Sequence, residues 1–539
     1  MAAAGAACDG RPAVTFTDVT QRAGIGFRYT FGDTTYENIL ESSGSGVTVF
    51  DYDSDGDLDL YLLNGTYLEG ISSADGRPFA GTPNELYRNN GDGTFTEVAA
   101  AAGLDDRHWS MGAAPLDYDA DGDVDVFLLN YGPNVFFRNN GDGTFEDVTD
   151  ELRLRGPETL NGFTTWSVGA SFWDYDEDGL LDVFVCNFLA FDPALVSASG
   201  PEVMPFPTEY RGQASVLYRQ GADGRFADVT RAAGLSYPES LCMGATVFDF
   251  DADGDLDLFQ ANDHQENFLF QNDGGGRFTE IGRASGVVVN DQGIPTGSMH
   301  GSIGDVDGDG LIDLLVPDLS YGALYRQAVG GVFRDVTRAS GVAVALQGKG
   351  AWAAALFDFD NDADVDLFSA NGTAEELVDQ LPVLMENDGA GRFRDVGPSL
   401  SPYFTERRSG RGAAVWDYDD DGDLDIVVSH IDLRGSPTLL RNDGGNRNHW
   451  LGITLVGRNG PASAVGATVT VEAGSRRQVL VNQWATSYLS YNDPRLHVGL
   501  GRSDRVDRLE IRWTGGATEV YRDLTTDRYI TVVEGAGIR

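Results

Sequence analysis

Lysine is nearly missing from this chain: Lys349 stands alone among 38 basic residues in 539. Acid is not scarce. There are 84 Asp and Glu, and the formal net charge is −46. Phosphate recognition needs basic patches, so nucleic acid is excluded as a partner, and an anionic membrane surface with it. Cations and basic proteins suit such a surface. Cysteine is scarce too. Cys8, Cys186 and Cys242 offer no disulfide framework, and the last two, in strand-like surroundings, read as small buried hydrophobes. No run of 18 apolar residues exists, so no transmembrane segment is expected. Met1 to Ala7 is too short and too weakly apolar for a signal peptide, although Gly5-Ala-Ala-Cys8 has a faint likeness to a lipoprotein cleavage site. Also missing are Gly-x-Ser-x-Gly, a phosphate loop, His-Glu-x-x-His and a dinucleotide fingerprint.

What is present is a nine-residue acidic phrase, repeated seven times. Its copies are Asp51, Asp53, Asp55, Asp57 and Asp59; Asp117, Asp119, Asp121, Asp123 and Asp125; Asp174, Asp176, Asp178, Leu180 and Asp182; Asp249, Asp251, Asp253, Asp255 and Asp257; Asp305, Asp307, Asp309, Leu311 and Asp313; Asp358, Asp360, Asp362, Asp364 and Asp366; and Asp417, Asp419, Asp421, Asp423 and Asp425. Those are positions 1, 3, 5, 7 and 9. Asp holds positions 1, 3, 5 and 9 without exception, position 6 is Gly except at Ala363, and position 8 is always apolar. A hard cation such as Ca²⁺ takes about six to eight oxygens, which a tight loop supplies from alternate positions. Position 7 can serve through its carbonyl, so its side chain is free to vary. Asp and Gly are common in any turn, but seven copies with every carboxylate in place go beyond turn statistics. Up to seven Ca²⁺ are therefore expected.

Each loop sits between strand-like stretches, here lettered a to d. In the first repeat strand a is Gly46–Phe50, b is Asp59–Leu63, c is Leu86–Arg88 and d is Phe95–Val98, with Asn-Asn-Gly-Asp-Gly turning c into d. Apolar residues alternate and Gly, Asn and Asp punctuate them, the mark of antiparallel strands. Repetition of such units predicts an all-β fold, a seven-bladed β-propeller with calcium loops plus a small C-terminal β-domain. The phrase near Val14–Val19 resembles a strand d without its repeat. It is expected to complete the seventh blade beside Leu439–Arg441, pairing the two ends of the chain. The expected organisation is a disordered or vector-derived tail over 1–13, a propeller over 14–445 and a β-domain over 446–535. The last 94 residues hold 12 Arg and 9 acidic residues, so nearly all the negative charge lies before them.

The acidic loop combined with the Gly-rich hairpin resembles the FG-GAP/VCBS repeats of integrin α-subunit propellers, over roughly 14–445. The resemblance implies that the loops bind Ca²⁺ on one face. The strands after Asn446, such as His449–Gly457 and Val506–Trp513, are similar to the ASPIC/UnbV domain. The order of the two parts is that of the cartilage acidic protein family and its bacterial relatives. Tyr491 stands where that family usually has Gln, and Arg495 and His497 read as strand-packing residues.

The connections opposite the calcium loops are long and irregular, which suits recognition; Leu189–Ser215 reads as a lid or rim. Strand a is innermost, so its first residues would line the central mouth. Trp109, Met111, Trp166, Met243 and Trp352 there are candidate substrate-binding residues, and His300, Arg411 and His430 candidate catalytic ones. The leading expectation is an extracytoplasmic binding or recognition module, secreted or periplasmic, for a protein or small-molecule ligand. The alternative is a metal-independent cyclase, isomerase or lyase of natural product biosynthesis acting on an apolar substrate. An open mouth of about 300 Å³ or more enclosing those groups favours chemistry or small-molecule binding, and a plugged one with a broad flat face favours protein recognition.

Overall fold

A computed structural model describes residues 14–374, 376–432 and 435–539. Cys8 and the expected tail over 1–13 lie outside them. The first repeat is an antiparallel sheet of Val47–Phe50, Asp59–Leu62, Glu85–Asn89 and Phe95–Glu97. Six more sheets follow the same order. Their a strands are Trp109–Leu116, Ser167–Trp173, Cys242–Phe248, Ser302–Gly304, Ala351–Phe357 and Gly410–Trp416. Strand Val47–Phe50 contacts Trp109–Leu116 on one side and Gly410–Trp416 on the other. The architecture is all-β and of propeller type. The seventh sheet takes its outer strand from the N-terminal end: Thr15 pairs with Asp443 and Asp18 with Leu440. Apolar side chains fill the spaces between sheets, and Trp173 and Trp416 are fully buried there.

Short helical turns follow most d strands, as at Ala99–Ala102 and Thr149–Leu152. The recurring Asp-Val-Thr phrase explains the junction. Asp147 Oδ1 accepts from Thr149 N at 3.0 Å, and Thr149 Oγ1 accepts from Phe136 N at 2.7 Å. One threonine thus ties the end of d to strand c.

The C-terminal part forms two further four-stranded sheets around its own core, with Leu451, Ile453, Val469, Leu509, Ile511 and Val532 buried. It sends a finger back into the ring. Strand Ala485–Ser487 turns into Ser490–Tyr491, and Tyr491 pairs in parallel with Thr48 of the first sheet.

One expectation is corrected. Cys186 and Cys242 are disulfide-bonded, with Cα atoms 5.3 Å apart and a separation of 56 positions in sequence. The bond joins strand b of the third sheet to strand a of the fourth. Sequence spacing could not show it, because the two meet only when neighbouring sheets stand side by side.

Candidate metal centres

The seven acidic loops share one hydrogen-bond plan. The position-1 carboxylate accepts the position-6 amide, as in Asp51 from Gly56 at 3.0 Å and Asp174 from Gly179 at 2.8 Å. The position-5 carboxylate accepts the position-7 amide, as in Asp121 from Asp123 at 2.9 Å and Asp178 from Leu180 at 3.0 Å. This works whether position 7 is Asp or Leu. Position 6 needs left-handed backbone, with φ of 98° at Gly56 and 109° at Gly254; Ala363 adopts 77°. Position 4 is left-handed as well, at Ser54 (60°) and Glu177 (57°), which the sequence pattern did not announce.

Positions 1, 3 and 9 converge. The carboxylate oxygens of Asp51, Asp53 and Asp59 lie within 4.8 Å of one another. So do those of Asp117, Asp119 and Asp125, of Asp174, Asp176 and Asp182, of Asp249, Asp251 and Asp257, of Asp305, Asp307 and Asp313, and of two more such groups. Position 9 is also a keystone. Asp59 Oδ2 accepts from Tyr52 N at 3.0 Å and its Oδ1 from Asn89 N at 2.8 Å. Burial outweighs those bonds and pushes the Asp59, Asp125 and Asp182 carboxyls up to about 8. Burial, with neighbouring carboxylates adding to it, pushes Asp51 and Asp117 up to about 6.

Several of these oxygens are orphans. Asp51 Oδ1, Asp53 Oδ1, Asp176 Oδ1 and Asp249 Oδ1 are buried with no donor. A buried acceptor without a partner is costly. Oxygens aimed at a common point, short of donors and penalised for their charge, fit a hard divalent cation. The clusters can hold metal ions.

A second ring was not foreseen from the sequence. The strand-c amide of each sheet reaches the position-2 carbonyl of the preceding loop. Asn139 Nδ2 donates to Tyr52 O at 2.9 Å, Gln220 Nε2 to Tyr118 O at 3.0 Å, and Asn272 Nδ2 to Tyr175 O at 3.0 Å. Gln327 donates to Phe250 O, Asn387 to Val306 O at 2.8 Å and Asn442 to Phe359 O at 2.7 Å. Asn89 donates to Tyr418 O at 2.7 Å and closes the circuit from first sheet to last. The signal was available: an Asn or Gln recurs three residues after a Leu or Phe of every strand c, as in Leu86 to Asn89 and Phe136 to Asn139.

The throat is filled. Trp109, Met111, Trp166, Met243 and Trp352 are all at most 3% exposed. Trp166 packs on Tyr131 and Phe188. From the finger, Tyr488 packs on Trp352 with ring centroids 5.1 Å apart and donates to Ser43 O at 3.0 Å. Tyr491 Oη donates to Ala170 O at 2.8 Å. At the opposite mouth the helix Ile39–Ser43 closes the channel, leaving a crevice of about 20 Å³ between it, Met204 of the Leu189–Ser215 insertion and Trp352.

Arg411 is fully buried. It donates to the carbonyls of Ser42 (2.6 Å), Gly410 (2.9 Å) and Thr373 (2.8 Å), and its guanidinium lies 4.1 Å from the Trp352 ring centroid. His300 Nε2 lies 2.9 Å from Ala354 O, and burial lowers its pKa to about 4, so the ring is neutral. His430 Nε2 lies 3.2 Å from Thr438 Oγ1. Each of the three is engaged in a different local contact.

The C-terminal part rests on the loop ends. Arg495 donates to Asp420 Oδ1 (2.7 Å), Asp417 O (2.9 Å) and Asp493, and stacks on Tyr529, which bonds Asp417. Arg512 pairs with Asp249, and Arg476 with Asp364 at 2.6 Å. A Cβ at Gly422 would collide with Trp450. His497 Nε2 lies 2.6 Å from Asn361 Oδ1.

Comparison with known proteins agrees with this division. A model of the FG-GAP-like repeat matches residues 71–128, 117–185, 249–316, 305–369 and 358–428, and one described as ASPIC and UnbV matches 457–539. Cartilage acidic protein 1 of Mus musculus is 27% identical over 527 residues, which is 91% of this chain and 73% of that protein. The Homo sapiens protein is 28% identical over 332 residues, 57% of this chain and 46% of that one. Among solved structures, an Agrocybe aegerita lectin recognising non-reducing terminal N-acetylglucosamine is 16% identical with a TM-score of 0.37, covering 67% of this chain and 87% of that one. Repeats, acidic loops and C-terminal sheets together place the chain in the FG-GAP-like repeat family, with a C-terminal ASPIC and UnbV segment and homology to cartilage acidic protein 1.

Proposed function

We propose that the chain is a calcium-stabilised, seven-bladed propeller that acts as an extracytoplasmic binding and recognition module, with the propeller over 14–445 and the C-terminal β-domain over 446–535. The observation that carries this reading is the set of orphaned, buried carboxylate oxygens at converging loop positions. Positions 1, 3, 5 and 9 would hold Ca²⁺ by side chain and position 7 by its carbonyl, in up to seven loops. The ion supplies charge neutralisation and a cross-link within each loop; its binding energy becomes folding energy. Placement outside the cytoplasm is supported by the disulfide and by short loops of a kind that need calcium well above cytosolic levels. Among the described residues no helix is long and apolar enough to cross a membrane.

The enzyme reading required a pocket of about 300 Å³ or more at the mouth away from the loops. The chain fills that mouth itself, leaving about 20 Å³, which favours recognition by a surface. The test is calcium titration by calorimetry together with melting in calcium and in chelator. Several equivalents bound and a strong fall in Tm on chelation are expected. No binding and no shift would remove the calcium reading.

A further inference from the structure

Between the C-terminal part and the loop ends of the fifth, sixth and seventh sheets lies a cavity of about 410 Å³. It has the size of a small-molecule site. Its floor is apolar, with Leu356 and Val415 from strands a and Val479 from the C-terminal part. Its wall is charged. Arg476 is paired with Asp364 at 2.6 Å and Arg495 with Asp493 at 2.8 Å. Arg477 differs. Among the described residues it has no carboxylate within 4.0 Å. Its guanidinium lies over Gly310, where a Cβ would collide with Nη1.

Five carboxylates and three guanidinium groups line the cavity, a formal −2. Four of those carboxylates belong to the acidic loops of the fifth and sixth sheets. One divalent cation in each of these two loops would offset charge that the lining Asp305, Asp307, Asp358 and Asp364 share with Asp309, Asp313, Asp360, Asp362 and Asp366, and so lessen the repulsion of an anion at Arg477. We propose that the cavity binds a small organic anion with an apolar body, an aryl or alkyl carboxylate, sulfonate or sulfate, and that Arg477 receives the head group. This rests on the acidic loops being cation sites, since with empty loops the same wall repels an anion. A guanidinium offers parallel N–H donors matched to two oxygens of such a head. The floor then removes the apolar body from water.

The test uses the full chain and anilinonaphthalene sulfonate, with neutral phenylnaphthylamine as the counterpart of nearly the same body. Calcium binding is measured first on the same sample by calorimetry. In calcium-saturated protein one equivalent of the sulfonate binds with a rise in fluorescence. Arg477→Gln, a change at an exposed side chain, weakens the sulfonate about tenfold, the loss of one charge-assisted head-group contact. It leaves the neutral counterpart unchanged. Chelation abolishes sulfonate binding under conditions where circular dichroism shows the sheets intact. If calcium binds but the sulfonate does not, or binds Arg477→Gln equally well, or binds in several equivalents, the proposal is overturned and the cation reading stands. If calcium itself fails to bind, the cation reading falls and this proposal with it.

Discussion

Position 6 of the acidic loop is glycine in six copies because its backbone is left-handed, a region costing a Cβ-bearing residue roughly 1–2 kcal/mol. At Gly56, Gly122, Gly179 and Gly254 a Cβ would meet nothing within 4 Å. The requirement there is conformational, not steric. Ala363 bears it unaided at φ 77°. Part of the gain from glycine is returned as unfolded-state entropy. Ala363→Gly is therefore expected to stabilise by about 0.5–1 kcal/mol in denaturant unfolding, and Gly254→Ala to cost a similar amount. Gly422→Ala should cost clearly more, since its Cβ would collide with Trp450. Glu41 carries a pH signal of a different origin. It caps the helix Ile39–Ser43 and accepts from Glu37 N and Asn38 N, yet burial pushes its carboxyl up to about 8. For a carboxyl raised in the folded state, its stabilising contribution is complete below the unfolded pKa near 4.5 and is lost as pH rises toward 8. Glu41→Gln keeps an acceptor without the charge. Its Tm relative to the parent should rise steadily from pH 5 to pH 8; a constant difference would remove burial as the cause.

At the scale of strands and loops, what could be read in advance was what repeats with a fixed period. The four-strand unit, the acidic loop and the stray strand ending at Asp18 are local patterns of alternation and turn chemistry. The strand pairing Thr15–Asp443 follows from them. The amide circuit was less visible because each bond spans two sheets: Asn139 to Tyr52 O is 87 residues long and Asn89 to Tyr418 O is 329. A single repeat contains the donor of one bond and the acceptor of another. The neighbouring Asn140 looks the same in sequence but only reaches Thr144 Oγ1 in its own turn. The two asparagines separate under mutation. Asn139→Ala leaves the buried Tyr52 carbonyl without its donor and should cost about 1–3 kcal/mol, while Asn140→Ala should stay within about 0.5 kcal/mol. Chemical denaturation of the pair checks this; equal effects would mean the circuit does not hold neighbouring sheets together.

At the scale of the whole molecule, sequence reasoning left open what fills the centre. It aligned the starts of the strands a and found a mixed ring of Trp, Met, His and Arg, the make-up of a pocket. That composition has another physical cause. The ring packs against a helix from residues 39–43 and a finger from residues 485–491, two irregular partners that call for irregular surroundings. Neither insertion has a periodic signature. The finger's seat and the loops are joined through the C-terminal part. Arg495 and Tyr529 grip Asp417 and Asp420 while Tyr488 and Tyr491 stand in the throat. Ions in the loops should fix the surface on which the C-terminal part rests, and a seated finger should hold those loops in place. Such linkage is reciprocal. Truncating a buried aromatic costs about 3–5 kcal/mol, so Tyr488→Ala with Tyr491→Ala loosens the finger strongly. If seat and loops are coupled, the fall in stability on chelation should be smaller in that double variant than in the parent, by about 0.5–3 kcal/mol, the usual range for groups sharing a network. Unfolding the two proteins with calcium and with chelator closes the cycle. Strictly additive losses would mean that the finger and the ions hold the ring independently, and the C-terminal part would then be a cover rather than a clamp.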